Sequence, residues 1–186
     1  MTQTTVAPMS ALAALLDREA IRDRITRLAR GEDRRDAGLI SSAFWADATT
    51  DYGVFQGSFA DYLAWVVPGS DAITDTQHVV GQSFIELAGD TAKVETQVVS
   101  YHRVDMGADE QVGGERDICI GGRYLDVFAR RSGEWRIAAR TMLYDWYQDW
   151  GAATDWSRGV MGLPFTDPRY PGRSTGDWSE VFFAAS

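Results

Sequence analysis

The stretch Thr91–Arg103, TAKVETQVVSYHR, decides the fold. Val94, Thr96 and Val98 fall on one side of a period-two pattern, with Val99 and Tyr101 on the other. Its β-branched residues suit a pleated, half-buried surface. It is therefore read as a strand. Before it, His78 to Leu87 has the same character and ends in Ala88-Gly-Asp90, a hairpin turn. After it, Ile118 to Ala129 leads through Arg130-Arg-Ser-Gly133 into Glu134 to Trp146, a second hairpin. Met106 to Gly114 is a polar connection.

Upstream the period changes. Leu12, Leu15, Leu16, Ile21, Ile25 and Leu28 keep helical spacing, and Gly31 reads as the stop. A short helix is expected over Arg35 to Phe44, then a strand from Ala48 to Phe55 with a bulge at Gly53. A helix over Ser58 to Val67 ends at Pro68-Gly-Ser-Asp71. Helices first and a mostly antiparallel sheet afterwards make an α+β domain.

Trp146 to Ser186 differs from the rest. Trp150, Trp156, Phe165, Tyr170, Trp178, Phe182 and Phe183 stand among Gly, Pro and Asp without a period. Such a tail either wraps the body or a neighbouring subunit, or lids a pocket. The chain divides into a loose start over residues 1–10, a domain over 11–150, and this tail over 151–186.

Totals exclude several classes. The 186 residues make one domain, 45% hydrophobic and 24% charged. A net charge of -9 argues against nucleic acid as partner. A single cysteine, Cys119 in an apolar run, excludes an internal disulfide and fits a reducing compartment. No stretch is apolar enough to span a membrane, and Met1 to Ala7 lacks the basic start of a signal peptide. A cytoplasmic protein is the expectation. Two histidines and one cysteine are too few for the usual transition-metal sites, and no glycine run forms a phosphate loop or dinucleotide fingerprint. No metal and no cofactor are expected.

Three stretches together carry a family resemblance over Leu12 to Asp149. The first is Ala29-Arg-Gly-Glu-Asp-Arg-Arg-Asp36, with Phe44-Trp-Ala-Asp-Ala48 and Asp51-Tyr-Gly53. The second is His78 with Ile85-Glu-Leu-Ala-Gly-Asp-Thr-Ala92. The third runs from Gly121-Gly-Arg-Tyr-Leu-Asp126 through Arg130-Arg-Ser-Gly-Glu-Trp-Arg-Ile137 to Arg140. In this order they resemble the SnoaL-like branch of the nuclear-transport-factor-2-like superfamily. That resemblance implies a cone-shaped α+β barrel: a curved, mostly antiparallel sheet packed against N-terminal helices around a deep pocket. Its members include dehydrochlorinases, dehydratases, polyketide cyclases, ketosteroid isomerases, lyases of diaryl compounds and the small subunits of ring-hydroxylating dioxygenases. A fold shared so widely fixes no reaction.

The resemblance also implies roles. In dehydrochlorinase-like members an Asp at the position of Asp33 orients a His at the position of His78, leaving one ring nitrogen as a free base. From sequence alone Asp33 reads equally as a helix-end cap beside Glu32, Arg34 and Arg35, and His78 as a satisfied strand histidine. His102 corresponds to a second pocket histidine of the dehydratases, suited to a leaving oxygen; otherwise it is a strand-end residue. Arg140 corresponds to an active-site arginine suited to a departing anion, or it is a structural ion pair. Tyr52 and Tyr144 are candidate pocket hydroxyls. Phe44 and Trp45 are candidates for substrate contact or for the core. Leu28 stands where the dehydrochlorinase and one dehydratase carry Lys or Tyr, which makes halide removal a poorer expectation.

Taken together, the implied activity is a cofactor-independent lyase. It would eliminate water or formaldehyde from an apolar, hydroxylated, aromatic or cyclic small molecule. The alternatives are an isomerase or cyclase, or a non-catalytic assembly module. A homodimer or homotrimer is expected, because related cones associate through the outer sheet.

Overall fold

A computed structural model describes residues 10–107, 113–155, 159–166 and 178–184. Its elements are α1 (Ala11–Arg34), α2 (Ala37–Ala43), β1 (Phe44–Asp51), β2 (Gln56–Ser58) and α3 (Phe59–Val66). They continue with β3 (Ile73–Ala88), β4 (Thr91–Asp105), β5 (Glu115–Arg131) and β6 (Glu134–Ala152). β7 (Gly159–Val160), β8 (Leu163–Pro164) and α4 (Trp178–Ala184) follow. The six main strands lie in the order β2-β1-β6-β5-β4-β3. All pairings are antiparallel except β1 with β6. The sheet is curved but not closed: β2 and β3 are its free edges.

Along β4 the expected alternation holds. Ala92, Val94, Thr96, Val98 and Ser100 are buried, while Lys93, Gln97 and Val99 are exposed. The inner face of β4 therefore packs on the helices and its outer face looks away. On β3 a bulge between Val80 and Ser83 changes the parity. Thr76, His78 and Val80 share the inner face on one side of it, and Ser83, Ile85 and Leu87 on the other. On β5 a register shift falls at Gly121/Gly122. A Cβ on Gly121 would lie 2.0 Å from the Trp146 ring, so glycine there admits the indole across the strand.

α1 lies along β3 and is tied to it at both ends. Arg18 donates to the Ile85 carbonyl at 2.6 Å, and Arg35 to the Ile73 carbonyl at 2.6 Å. Between these anchors Ile21, Ile25, Leu28 and Ala29 bury one helical stripe. Asp17 on the same stripe is satisfied by the Trp135 indole N–H at 2.8 Å and by Arg130. Asp36 caps α2, and Ser58 with Asp61 closes a capping box on α3.

Several boundaries differ from the sequence reading. α1 does not stop at Gly31; it runs one turn further and ends on Arg35 in the left-handed conformation. Gly31 serves close packing instead: its Cβ would lie 2.9 Å from Ile40 Cγ1 and 3.0 Å from the Ile40 nitrogen. Asp33 is consequently in the last turn of the helix rather than past it. β1 covers Phe44–Asp51, earlier than expected, and Gly53 (φ 72°) turns the chain after it. β6 extends to Ala152, so Trp146, Tyr147 and Trp150 are strand residues, each about half exposed or more.

In the tail, Trp156 and Tyr170 lie outside the described residues. α4 returns to α1, where Arg30 donates to Ser179 at 3.2 Å and stands over the Phe183 ring at 4.8 Å. Trp178, Phe182 and Phe183 nevertheless stay largely exposed. No described helix is long and apolar enough to cross a membrane.

Gly31→Ala tests the α1–α2 corner. Alanine gains up to about 1 kcal/mol of helix propensity, whereas overpacking costs about 1–3 kcal/mol. Because backbone as well as side chain blocks the new methyl, net destabilisation is expected. A denaturant melt showing equal or higher stability would mean that the corner is looser than described.

Candidate active site

The register of β3 and β4 assembles the centre of the site. His102 faces Thr76, and His78 faces Ser100, so the two histidines are diagonal neighbours on the inner face. Their ring centroids are 5.9 Å apart. The last turn of α1 supplies the carboxylates. Asp33 accepts from the His78 ring Nδ1 at 2.7 Å and from the His78 backbone N–H at 2.9 and 3.1 Å. Carboxylate and ring are both largely buried. A carboxylate against Nδ1 makes that nitrogen the N–H donor and leaves the Nε2 lone pair free.

Nε2 points toward Glu32, whose Oε2 lies 3.9 Å away. Glu32 is 7% exposed. Its Oε1 accepts from the Tyr62 hydroxyl, to which Tyr52 donates at 3.2 Å. The Tyr52 and Tyr62 rings stack at 5.4 Å. Oε2 has no hydrogen-bond partner.

Electrostatics separate the two histidines. Burial presses the His78 pKa down, but the hydrogen bond to Asp33 and the charges of Glu32 and Asp33 outweigh it, and the value is raised above 6.5. His102 is lowered to about 4 by burial and by the neighbouring His78, against a smaller opposing effect of Asp33. It is therefore neutral at pH 7, with Nδ1 3.0 Å from the Thr76 hydroxyl. Burial, with the Glu32 charge next, also raises Tyr52 and Tyr62, which stay protonated donors.

These groups edge a cavity of about 550 Å³. Tyr52, Tyr62, Trp65 and Tyr124 form an aromatic side, and Val66, Ile73, Ile118, Ile120 and Met142 an aliphatic one. Exposed Val54, Tyr144 and Tyr147 stand at its outer edge. Tyr144 donates to the Tyr52 carbonyl at 2.9 Å. An apolar chamber with a few convergent polar groups on one side is the usual form of a small-molecule site.

Of the residues singled out from sequence, His78, His102, Tyr52 and Tyr144 line this cavity, and Asp33 stands directly behind His78. Leu28 and Phe44 do not: both are fully buried in the core, Phe44 stacked on Phe59 at 5.0 Å. Nor does Trp45, which donates to the Ala129 carbonyl and packs under Arg131 and Arg136. Arg140 lies one layer below the cavity. Its Nε and Nη2 each donate to Asp126 at 2.8 Å, and its guanidinium covers the Tyr124 ring at 3.8 Å. Its Nη1 is 3.9 Å from Glu32 Oε1 and lacks a hydrogen bond. Its positive charge thus acts from behind Glu32 rather than in the chamber. Sequence reasoning passed over Glu32, Tyr62, Tyr124 and Thr76. Glu32 was visible only as a charge in a charged helix end. Among the described residues no three His, Cys, Asp or Glu side chains group as metal ligands.

A model of the SnoaL-like domain matches residues 13–141, well over half of the chain. The chain belongs to the SnoaL-like family. Solved structures of similar fold accompany this match. The LinA-type3 hexachlorocyclohexane dehydrochlorinase of Novosphingobium barchaimii is 21% identical, with TM-score 0.66 over 86% of this chain and all of that one. A candidate scytalone dehydratase from Novosphingobium aromaticivorans is 16% identical, with TM-score 0.61 over 82% and 97%. The β subunit of a candidate aromatic-ring-hydroxylating dioxygenase from the same species is 22% identical, with TM-score 0.57 over 73% and 94%. No protein of curated function matches the sequence. At these identities the likeness is one of fold; the chemistry of each protein is its own.

The two histidines allow a direct test. In a side-chain NMR titration one imidazole should titrate above 6.5 and the other near 4. Asp33→Asn should lower the first and barely move the second. Because the folded value of His78 is raised, the stability that its pairing adds is fully present below pH 6.5. It is lost as pH rises through the folded value. Two histidines both titrating near 6.5 would contradict this arrangement.

Proposed function

We propose that the chain is a cofactor-independent lyase. In this reading it acts on an apolar, hydroxylated, aromatic or cyclic small molecule in the cytoplasm. One observation carries the reading: a largely buried Asp–His pair turns the ring Nε2 toward the polar edge of an aromatic chamber. Nε2 takes a proton from carbon, the electron pair left behind forms the double bond, and the hydroxyl on the next carbon leaves as water with the proton that the imidazolium returns. Where the proton comes from a primary alcohol, the oxygen's electron pair forms the carbonyl of formaldehyde. The carbon–carbon bond breaks, and its pair expels the group on the neighbouring carbon. Asp33 fixes the ring and stabilises the imidazolium. Neutral His102 supplies a hydrogen bond to the departing oxygen. Leu28, buried in the core, stands where the dehydrochlorinase-like pattern has a polar residue, and its lack of one supports water or formaldehyde over chloride.

The assignment to a lyase rather than an isomerase or cyclase rests on neutral His102 beside His78, placed to meet a departing oxygen; all three would use the same base. The exposed rings of β6 and α4 support association into a homodimer or homotrimer.

A screen of hydroxylated aromatic compounds should find one that loses the mass of water or of formaldehyde. For that compound His78→Ala should cut turnover about 10²–10⁴-fold. Asp33→Asn should cut it roughly 10²-fold or more, because the tautomer is no longer held. Both variants should remain folded. A product of unchanged mass would assign an isomerase, and full activity in His78→Ala would remove the base from the mechanism.

A further inference from the structure

One polar group of the chamber lining stands apart from the Asp–His chemistry, and one of its atoms lacks a hydrogen-bond partner. Glu32 Oε2 is buried, belongs to a residue lining the cavity, and has no donor. A buried polar atom without a partner costs about 1–3 kcal/mol, and more if charged. Such atoms are rare in folded proteins and mark places completed by something else. The carboxylate cannot turn away to satisfy itself. Its other oxygen is held by the Tyr62 hydroxyl, Tyr62 is held by Tyr52, and the guanidinium of Arg140 stands 3.9 Å behind. His78 Nε2 is too far away, at 3.9 Å, to serve as its donor.

From the buried, unpartnered Oε2 of the cavity-lining Glu32, 3.9 Å from His78 Nε2, we infer that Glu32 determines specificity by accepting a hydrogen bond from a substrate hydroxyl. This deepens the proposed function and rests on the chamber being the substrate site. It also narrows the substrate class. The hydroxyl sits one or two bonds from the atom that yields its proton to His78, since the two acceptors are neighbours. A molecule with only a carbonyl, ether or halogen there would face Oε2 with another acceptor. Sites built to pair with a substrate hydroxyl reject analogues that lack it strongly, because their own buried group is then left unpaired. Glu32 thus does what the chamber's apolar walls cannot: it separates alcohols from ketones of the same shape.

The test is a binding measurement by calorimetry with two probes of nearly equal size, diphenylmethanol and benzophenone, which carry neither a C–H on a saturated neighbouring carbon nor a primary alcohol for His78 to act on. The wild-type protein should bind the alcohol about tenfold tighter or more, the range of a hydrogen bond to a charged group. Glu32→Gln keeps an oxygen for Tyr62 but turns an amide N–H₂ into the chamber. The preference should fall below about threefold or invert toward the ketone. The wild type gives a second readout that needs no variant. With ¹³C-labelled glutamate, a carboxylate stretch should shift in the infrared difference spectrum on adding the alcohol, and not on adding the ketone. Equal affinities, no shifted carboxylate, or an alcohol preference that survives Glu32→Gln would each overturn the inference; the last would leave His78 as the acceptor. An alcohol preference without turnover of any compound would leave Glu32 its role and sink the lyase reading instead.

Discussion

The structure of the site depends on one junction, the carboxylate of Asp33 against His78. It binds both the backbone and the ring of the same residue, so it fixes the position of β3 against α1 and the orientation of the imidazole together. Neither function is separable from the other. A backbone bond alone would leave the tautomer undecided. The Arg18 and Arg35 contacts to β3 carbonyls hold the helix in place for this purpose.

Around this junction charge is layered by depth. Arg140 and Asp126 neutralise each other in the core, where an unpaired charge would be strongly destabilising. The residual positive field reaches Glu32, and Glu32 in turn faces the imidazole that is to become positive. Two carboxylates thus flank His78, one on each nitrogen, and oppose the burial that would keep it neutral. His102, with no carboxylate of its own to hold, is left neutral by the same burial. Two histidines on adjacent strands receive different roles from their neighbours alone.

Much of this was legible in the sequence. The alternation of Thr91–Arg103 gave strand, face and the inward direction of His102, because the period of a strand is two and admits no ambiguity over so long a run. Asp33 and His78 were found through the family pattern, not through spacing, since nothing local joins positions 45 apart. The misplacements have identifiable causes. Gly31 looked like a helix stop, but only glycine fits against Ile40, and a packing glycine cannot be told from a capping one without the neighbouring helix. Glu32 stayed hidden because a carboxylate among Arg and Asp reads as solvated. Its burial follows from the extra turn of α1 that the misread glycine concealed. For Arg140 the sequence left an active-site role and a structural ion pair both open, because its partner Asp126 lies on the neighbouring strand, in a register that sequence does not reveal.

The central claim is that His78, held by Asp33, is the base that faces the chamber. The pH dependence of kcat/KM for a compound that turns over tests it most directly. The account predicts that activity rises through a single apparent pKa above 6.5, as the imidazole loses its proton, and that Asp33→Asn moves this limb to lower pH. A profile without a limb in that region, or one that Asp33→Asn leaves in place, would contradict it.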